Sequence, residues 1–570
     1  MSQQQRQEYQ AQAYALMASI EGTSPASETL RRRLQALAEE VPPPGAEVET
    51  VENHESAELE EEMGEVEEEF TEVDIGCSWT LTGALIFNII MFYFINYPDD
   101  DIKRYTWSII NTTLSIFVAV MSFQGVDEMM LHFVIDPALG VFPKGWQELV
   151  RVMSGFVIFL FWFALAHTVV AYFAGLVCNP EEDPSQLMTK KWTVADAMRG
   201  DNGEVVEGHN LVREGLSKGI ATVDGVEVFV KNRAVLHEGY ERRTKCWAML
   251  FAHMAGFAMI SAGGDLQHAA PFVNNPGMSW VSVVLCALFL LLLFTATAFL
   301  YKEGPEFEEA RKLYKEEGLD AEDDIFCLAV SFLCVQSLRF SLSGSLPSKL
   351  GLYHHPETEE SQLIGLYVSA VAMVGVTVAA AVLLRKGRVK DLIVGTASMG
   401  FAWCVLFATR AAFDAWPFLQ EKKITPATIE GRVLLAMTLS LFACAVIVVL
   451  DKIEDGLDKE GDAEQLHKLL KNIITGLSIL IGFTWEHTFD GCVEAISSLW
   501  SNVLLGKLVL TLVIVVIVVP AWRRYILAKV VDLHKAQRER KEAFEKLKDG
   551  YSHRVSDESS EEEPSARLLC

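Results

Sequence analysis

The chain lacks the signatures of soluble catalysts and of metal centres. It contains no HExxH or GxSxG motif and neither a dinucleotide-binding nor a Walker fingerprint. Its ten cysteines are scattered without a CxxC pair, and most lie inside apolar runs, where a thiol behaves as a small hydrophobic group. We therefore expect no enzymatic activity, no cofactor, no metal site and no disulfide framework.

Positive charge is missing from the stretch that precedes the first long apolar run. Half of the formal net charge of −28 comes from fourteen acidic residues between Glu47 and Asp74, a stretch without Lys or Arg. Such a composition cannot build a core, so we predict a disordered acidic tail over residues 1–74. A basic surface interleaved with aromatic residues is lacking too, which excludes nucleic acid as an expected partner.

Long apolar runs are abundant, by contrast. The chain is 51% hydrophobic with a mean hydropathy of +0.23, and runs of about twenty residues are what a helix needs to cross a bilayer. We predict an all-α, polytopic membrane helix bundle with about eleven transmembrane helices (10–12) in contact with lipid, near residues 77–97, 105–126, 149–177, 246–268, 279–301, 326–343, 363–385, 391–413, 431–451, 472–492 and 504–528. The sixth of these is short and carries Arg339.

These runs divide the chain into five parts. We predict, in order, the acidic tail 1–74, transmembrane helices 1–3 (75–178), a cytoplasmic insert with a β-hairpin (179–244), transmembrane helices 4–11 (245–530), and a cytoplasmic helix followed by a disordered, phosphorylatable tail (531–570). The hairpin is expected around Asp224 and Gly225. Lys and Arg collect in alternate loops, which predicts a cytoplasmic C-terminus and, with eleven helices, an N-terminus on the other side.

The even-numbered helices share a small residue followed eight to ten positions later by a polar one. The small residues are Ser115, Gly256, Ser331, Gly400 and Ser478. Their spacing fits a two-helix unit repeated five times, and it equally fits any membrane protein with short loops. Both interpretations stay open at this point.

The polar residues that follow are the candidate functional residues. Ionisable groups at membrane depth are costly and usually face a bundle interior or a water-filled cavity. The predicted transport-path residues are Gln124, Asp127, Asp265, Arg339, Arg410, Glu486, His487 and Asp490. The alternative is structural: these charges lie at helix ends in the interface, or an arginine pairs with Asp265 or Asp490 to hold the bundle together.

One stretch of the tenth helix concentrates such residues. Glu486, Asp490 and Glu494 recur every four residues and share a helix face, with His487 beside them. This face either attracts cations or is a wet helix end. His167 and His253 stand alone in apolar surroundings and are interpreted as hydrogen-bonded packing residues.

These features predict a channel or secondary transporter for a small cation, with H⁺ as one candidate, and permit oligomers. One alternative is a membrane scaffold or signalling protein that binds a cytoplasmic protein partner through its insert and tails. A second alternative is an integral-membrane enzyme.

Overall fold

The computed structural model describes residues 71–176, 220–223, 226–229, 233–301, 308–349, 360–457, 463–533 and 536. The predicted tail up to residue 70, most of the 179–244 insert and nearly all of the segment 531–570 lie outside these residues. Within them the chain is a polytopic membrane helix bundle, as the sequence predicted.

The described residues form eleven long helices. In chain order they are α1 (Glu72–Ile95), α2 (Asp100–Met130), α3 (Lys144–Phe173), α4 (Arg233–His268), α5 (Pro276–Thr297), α6 (Glu308–Ser343), α7 (Glu360–Leu383), α8 (Arg388–Ala415), α9 (Ile429–Leu457), α10 (Ala463–Ser497) and α11 (Val503–Ala521). Side chains cap several of them: the Asp99 carboxylate accepts from the Asp101 amide at 2.7 Å, and Asn275 and Asn502 begin α5 and α11 in the same way.

Ten helices of the described chain are long and apolar enough to cross a membrane. The eleventh, α10, is 35 residues long but is not among the ten. Its second half carries Glu486, His487 and Asp490, which lower its hydropathy. It nevertheless packs inside the bundle, where its residues from 473 to 493 are mostly buried.

The even-numbered helices form an inner ring. Neighbouring contacts run from α2 to α4, α6, α8 and α10 and back to α2, and the odd-numbered helices pack around them: α3 on α4, α5 on α6, α7 on α8, α9 on α10, α1 on α9 and α2, and α11 on α2 and α10. The most apolar windows of α2, α4, α6 and α8 are 67–78% buried, against 17–44% for the six outer helices. The inner ring therefore consists of the helices in which a small residue is followed by a polar one. The outer layer consists of apolar spans that pack on the ring with one side and are exposed on the other.

Glycine lets the inner helices approach closely. A Cβ added to Gly476 of α10 would lie 2.7 Å from the carbonyl oxygen of Ser398 in α8, and one added to Gly482 would lie 3.1 Å from the Cα of Thr113 in α2. The contact at Gly476 leaves no room for a Cβ, and at Gly482 the neighbouring backbone would have to give by a few tenths of an ångström. Two of the ring's contacts thus depend on residues without a Cβ.

Two local predictions can be compared with the structure. The sixth helix was expected at 326–343, but α6 begins at Glu308 and is 36 residues long. The acidic stretch before Phe326 is therefore helical as well, and one of its members, Glu322, is buried and paired. The strand Ile220–Val223 pairs antiparallel with Val226–Phe229, at the place where the sequence predicted a hairpin.

Candidate functional site

An aromatic layer fills the interior of the inner ring. Phe257 of α4 and Phe483 of α10 stack across the ring with centroids 6.1 Å apart. Phe483 also meets Trp403 of α8 edge-on at 5.1 Å, and Trp403 meets Phe332 of α6 at 5.1 Å. The Trp403 indole N–H donates to the Ser331 hydroxyl at 3.1 Å. Four of the five inner helices are thus joined by aromatic contacts.

A small cavity borders this layer. It is lined by Gln124, Leu406, Phe407, Arg410, Pro426, Arg432, Leu435, Phe483, Thr484 and His487, and its volume is about 30 Å³. A water molecule needs roughly 10–15 Å³, so the cavity has room for two or three particles of that size. Three of the predicted transport-path residues, Gln124, Arg410 and His487, therefore converge on one site.

Arg432 of α9 completes this site and was missed by the sequence analysis. Its Nη1 donates to the backbone oxygen of His487 at 3.2 Å. Its Nε atom and the Nε2 atom of His487 are buried and have no hydrogen-bond partner among the described residues. Arg432 lies near the start of its span, on an outer helix, so the pattern that singled out the even-numbered helices could not include it.

The carboxylates of α10 occupy three different environments. The Glu486 side chain is fully buried, and neither of its oxygens has a hydrogen-bond partner among the described residues. Asp490, one turn later, is half-buried, and Glu494 is exposed. The face predicted from their spacing therefore runs from the bundle interior to its surface, and the interpretation as a wet helix end holds only for Glu494.

Asp127 and Asp265, two further predicted residues, lie near Lys349 and outside the cavity. Asp265 of α4 forms an ion pair with Lys349, which follows α6, so its partner is not one of the arginines considered above. Burial and the nearby Arg151 lower the pKa of Lys349 to about 8, an effect that Asp127 of α2 partly offsets. Asp127 and Asp265 thus belong to a charged cluster separate from the cavity.

Arg339 of α6 is almost completely buried, at 1% exposure. Its guanidinium carbon lies 4.0 Å from the centroid of Phe407, a residue that also lines the cavity. A cation over an aromatic face is attracted by the ring quadrupole. Arg339 is therefore positioned behind the cavity wall, in contact with Phe407.

A second buried polar cluster surrounds Glu322 and was not predicted. Its side chain is fully buried; it accepts from Thr297 at 2.5 Å and from Tyr301 at 2.8 Å, and it pairs with Arg388 at 2.6 Å. His167 lies 3.6 Å away and also meets Tyr314, so it is not isolated. Burial and Glu322 raise the pKa of Tyr301. Each side chain of this cluster has at least one polar partner, which suits a structural role.

Other polar residues also have structural partners. His253 Nδ1 lies 2.9 Å from the Ser115 hydroxyl, which joins α4 to α2 and agrees with the interpretation of His253 as a packing residue. The side-chain oxygens of Asp99, Asp101 and Asp451 lie within 4.8 Å of one another, a spacing that could suit a metal ion. Asp99 already caps α2, however, and Asp101 pairs with Arg104 at 2.7 Å.

Comparison with protein-family models gives no match, and comparisons with curated proteins and with solved structures give none either. Functional interpretation therefore rests on the geometry of the chain itself.

Proposed function

We propose that this multi-pass membrane protein is a channel or secondary transporter that moves a small ion along its inner ring. The observation that carries the proposal is the division of labour between the two layers. Ionisable side chains such as Glu486 and Arg339 are buried on the inner helices, whereas the outer helices are largely apolar spans, with Arg432 of α9 as an exception. Buried charge of this kind is costly in lipid and is typical of ion pathways.

The aromatic layer bears on how an ion would pass. Phe257, Phe483 and Trp403 are in contact across the ring, so an ion needs a rearrangement of these side chains or of the helices that carry them. Apolar constrictions of this type gate channels by excluding water. This supports a gated or alternating mechanism over a permanently open pore. Phe483→Ala is expected to raise ion leak by shortening the layer.

The sequence predicted a small cation, H⁺ included, as the transported species, and this prediction rests on the carboxylates of the inner helices. Asp127, Asp265, Glu486 and Asp490 all lie on inner helices, and Glu486 is fully buried without a partner among the described residues. The cavity itself is lined by two arginines and does not support a cation at that point. A cation would therefore follow the carboxylates rather than occupy the cavity.

Flux through proteoliposomes tests the proposal. The purified chain is reconstituted, and proton and alkali-cation flux is followed with entrapped indicator dyes against protein-free vesicles. We expect flux in the wild type. Neutralising Asp265, Glu486 and Asp490 together should lower the flux by at least about ten-fold, because it removes the negative charges that a cation would follow along the inner ring. Glu494→Gln, on the same helix but exposed, is the matched control and should keep wild-type flux. Equal flux in the triple variant and the wild type contradicts the cation path.

The two alternative functions, a scaffold and an enzyme, predict different experimental results. A scaffold or signalling protein would act through the insert and tails, most of which lie outside the described residues, and it would move no ion while binding a cytoplasmic protein. We propose no enzymatic activity; the alternative of an integral-membrane enzyme would require turnover of a lipid or other membrane substrate. The C-terminus is proposed to be cytoplasmic on the basis of the Lys and Arg distribution.

A further inference from the structure

The cavity beside the aromatic layer is lined by charge of one sign. Arg410 of α8 and Arg432 of α9 both border it, with His487 and Gln124 beside them, and no carboxylate belongs to its described lining. Arginine is always protonated in proteins, so the lining carries two positive charges at any physiological pH.

Several hydrogen-bond donors at this site are unused. Arg410 has no ion pair and no hydrogen bond to another described residue, and Gln124 has no hydrogen bond to one. The buried Nε of Arg432 is likewise without a partner in the described chain. Buried polar groups are normally paired, and a buried charge without a partner is especially costly. The lining therefore presents donors to the cavity that the protein itself does not satisfy.

Nearby carboxylates do not neutralise the two arginines directly. The Asp414 carboxylate interacts electrostatically with Arg410, and the Glu486 and Asp490 carboxylates interact electrostatically with Arg432. None of the three forms an ion pair with either arginine among the described residues. The two half-buried guanidinium groups therefore have no described carboxylate in direct contact, which leaves a place for a counterion in the cavity.

The size and the remaining wall of the cavity restrict that counterion. At about 30 Å³ the site takes two or three particles of the size of water, which excludes nucleotides and large organic anions. Phe407, Phe483, Leu406 and Leu435 form its apolar wall, a surface that suits a weakly hydrated monatomic ion better than a strongly hydrated oxyanion.

We propose that this cavity binds a single small inorganic anion of the halide class, held by Arg410 and Arg432 with Gln124 as a neutral donor. The proposal goes beyond ion transport, because it assigns a bound anion whether or not any ion crosses the ring.

Equilibrium binding of radiolabelled chloride to the purified full-length chain in detergent micelles tests it. We expect one saturable site per chain, competition by bromide, and no competition by gluconate at the same ionic strength, because gluconate is too large for the cavity. Absence of saturable chloride binding to the wild type, the result expected if water alone fills the site, overturns the proposal. Sulfate competing better than bromide overturns the halide assignment.

Variants locate the site. Arg410→Gln and Arg432→Gln should each weaken chloride binding by about ten-fold or more, since a charge-assisted hydrogen bond contributes on that scale. Arg524→Gln makes the same change of charge at an exposed residue outside the cavity and should leave affinity unchanged. Gln124→Leu keeps the size and removes only a neutral donor, so it serves if an arginine variant fails to fold; it should weaken binding by a smaller factor. Affinity that is unchanged in every folded cavity variant places the anion elsewhere and refutes the proposal.

The result separates this inference from the proposed function. Chloride binding without ion flux in proteoliposomes retains the anion site and removes the transport proposal. Flux without chloride binding does the reverse.

Discussion

Replacing Gly476 by alanine tests whether the inner ring is as tightly closed as the structure shows. The new Cβ would lie 2.7 Å from the carbonyl oxygen of Ser398 and 3.2 Å from its carbonyl carbon. These are backbone atoms of α8, so they cannot rotate away as the end of a side chain would. Helices α8 and α10 must move apart locally, which disturbs the ring contact that carries Trp403 against Phe483.

The magnitude follows from two opposing effects. Overpacking a well-packed site costs about 1–3 kcal/mol, while alanine is about 1 kcal/mol better than glycine in a helix interior. The net change for Gly476→Ala is therefore between zero and a loss of about 2 kcal/mol. Gly375 of the outer helix α7 is the matched control, because no described atom outside its own helix lies within 4 Å of a Cβ built there. Subtracting the control removes the helix-propensity effect and leaves the overpacking cost of about 1–3 kcal/mol.

The assay is unfolding of the purified variants in mixed micelles by a denaturing detergent, followed by far-ultraviolet circular dichroism. Gly476→Ala should unfold at a lower detergent fraction than Gly375→Ala. Larger side chains at residue 476 should extend the loss, with leucine worse than alanine. If Gly476→Ala proves as stable as Gly375→Ala, the close approach of α8 and α10 is not a feature of the folded protein.

Three other predictions concern single side chains. Glu322→Gln should lower the free energy of unfolding by about 1.5–3 kcal/mol, since it removes the charge of a buried carboxylate that accepts from Arg388, while Arg388 keeps its pair with Asp323; Asp100→Asn, in a surface pair, should change it by less than about 0.5 kcal/mol in the same assay. Burial lowers the pKa of Lys349 to about 8 from 10.5, so its neutral, reactive amine becomes the main form above about pH 8; acylation measured by peptide mass spectrometry should be half-maximal there, and a midpoint near 10.5 would show that the ion pair with Asp265 outweighs the burial. Phe483→Ala should raise proton leak through proteoliposomes above the wild-type rate; an unchanged leak would show that the aromatic layer is not the barrier.

The sequence by itself determined the class of the molecule and its division into two kinds of helix. Apolar runs of spanning length force a membrane bundle, because every backbone polar group in lipid must be satisfied within a helix. The small residues Ser115, Gly256, Ser331, Gly400 and Ser478 marked the helices that form the inner ring. The inner helices could be identified from one sequence because their composition is set locally. A helix surrounded by other helices needs small residues and tolerates polar ones, whereas a lipid-facing helix does not need small residues and does not tolerate polar ones.

Sequence periodicity could not show which polar residues meet. Glu486 and Glu494 share a helix face, yet one is fully buried and the other exposed, because depth in the bundle is set by the neighbouring helices. Arg432 reaches the cavity from an outer helix, and Lys349 reaches Asp265 from beyond the end of α6. Such contacts join residues far apart in the chain, so only the packing of α2, α8, α9 and α10 around one another decided that the cavity would be lined by arginine rather than by carboxylate.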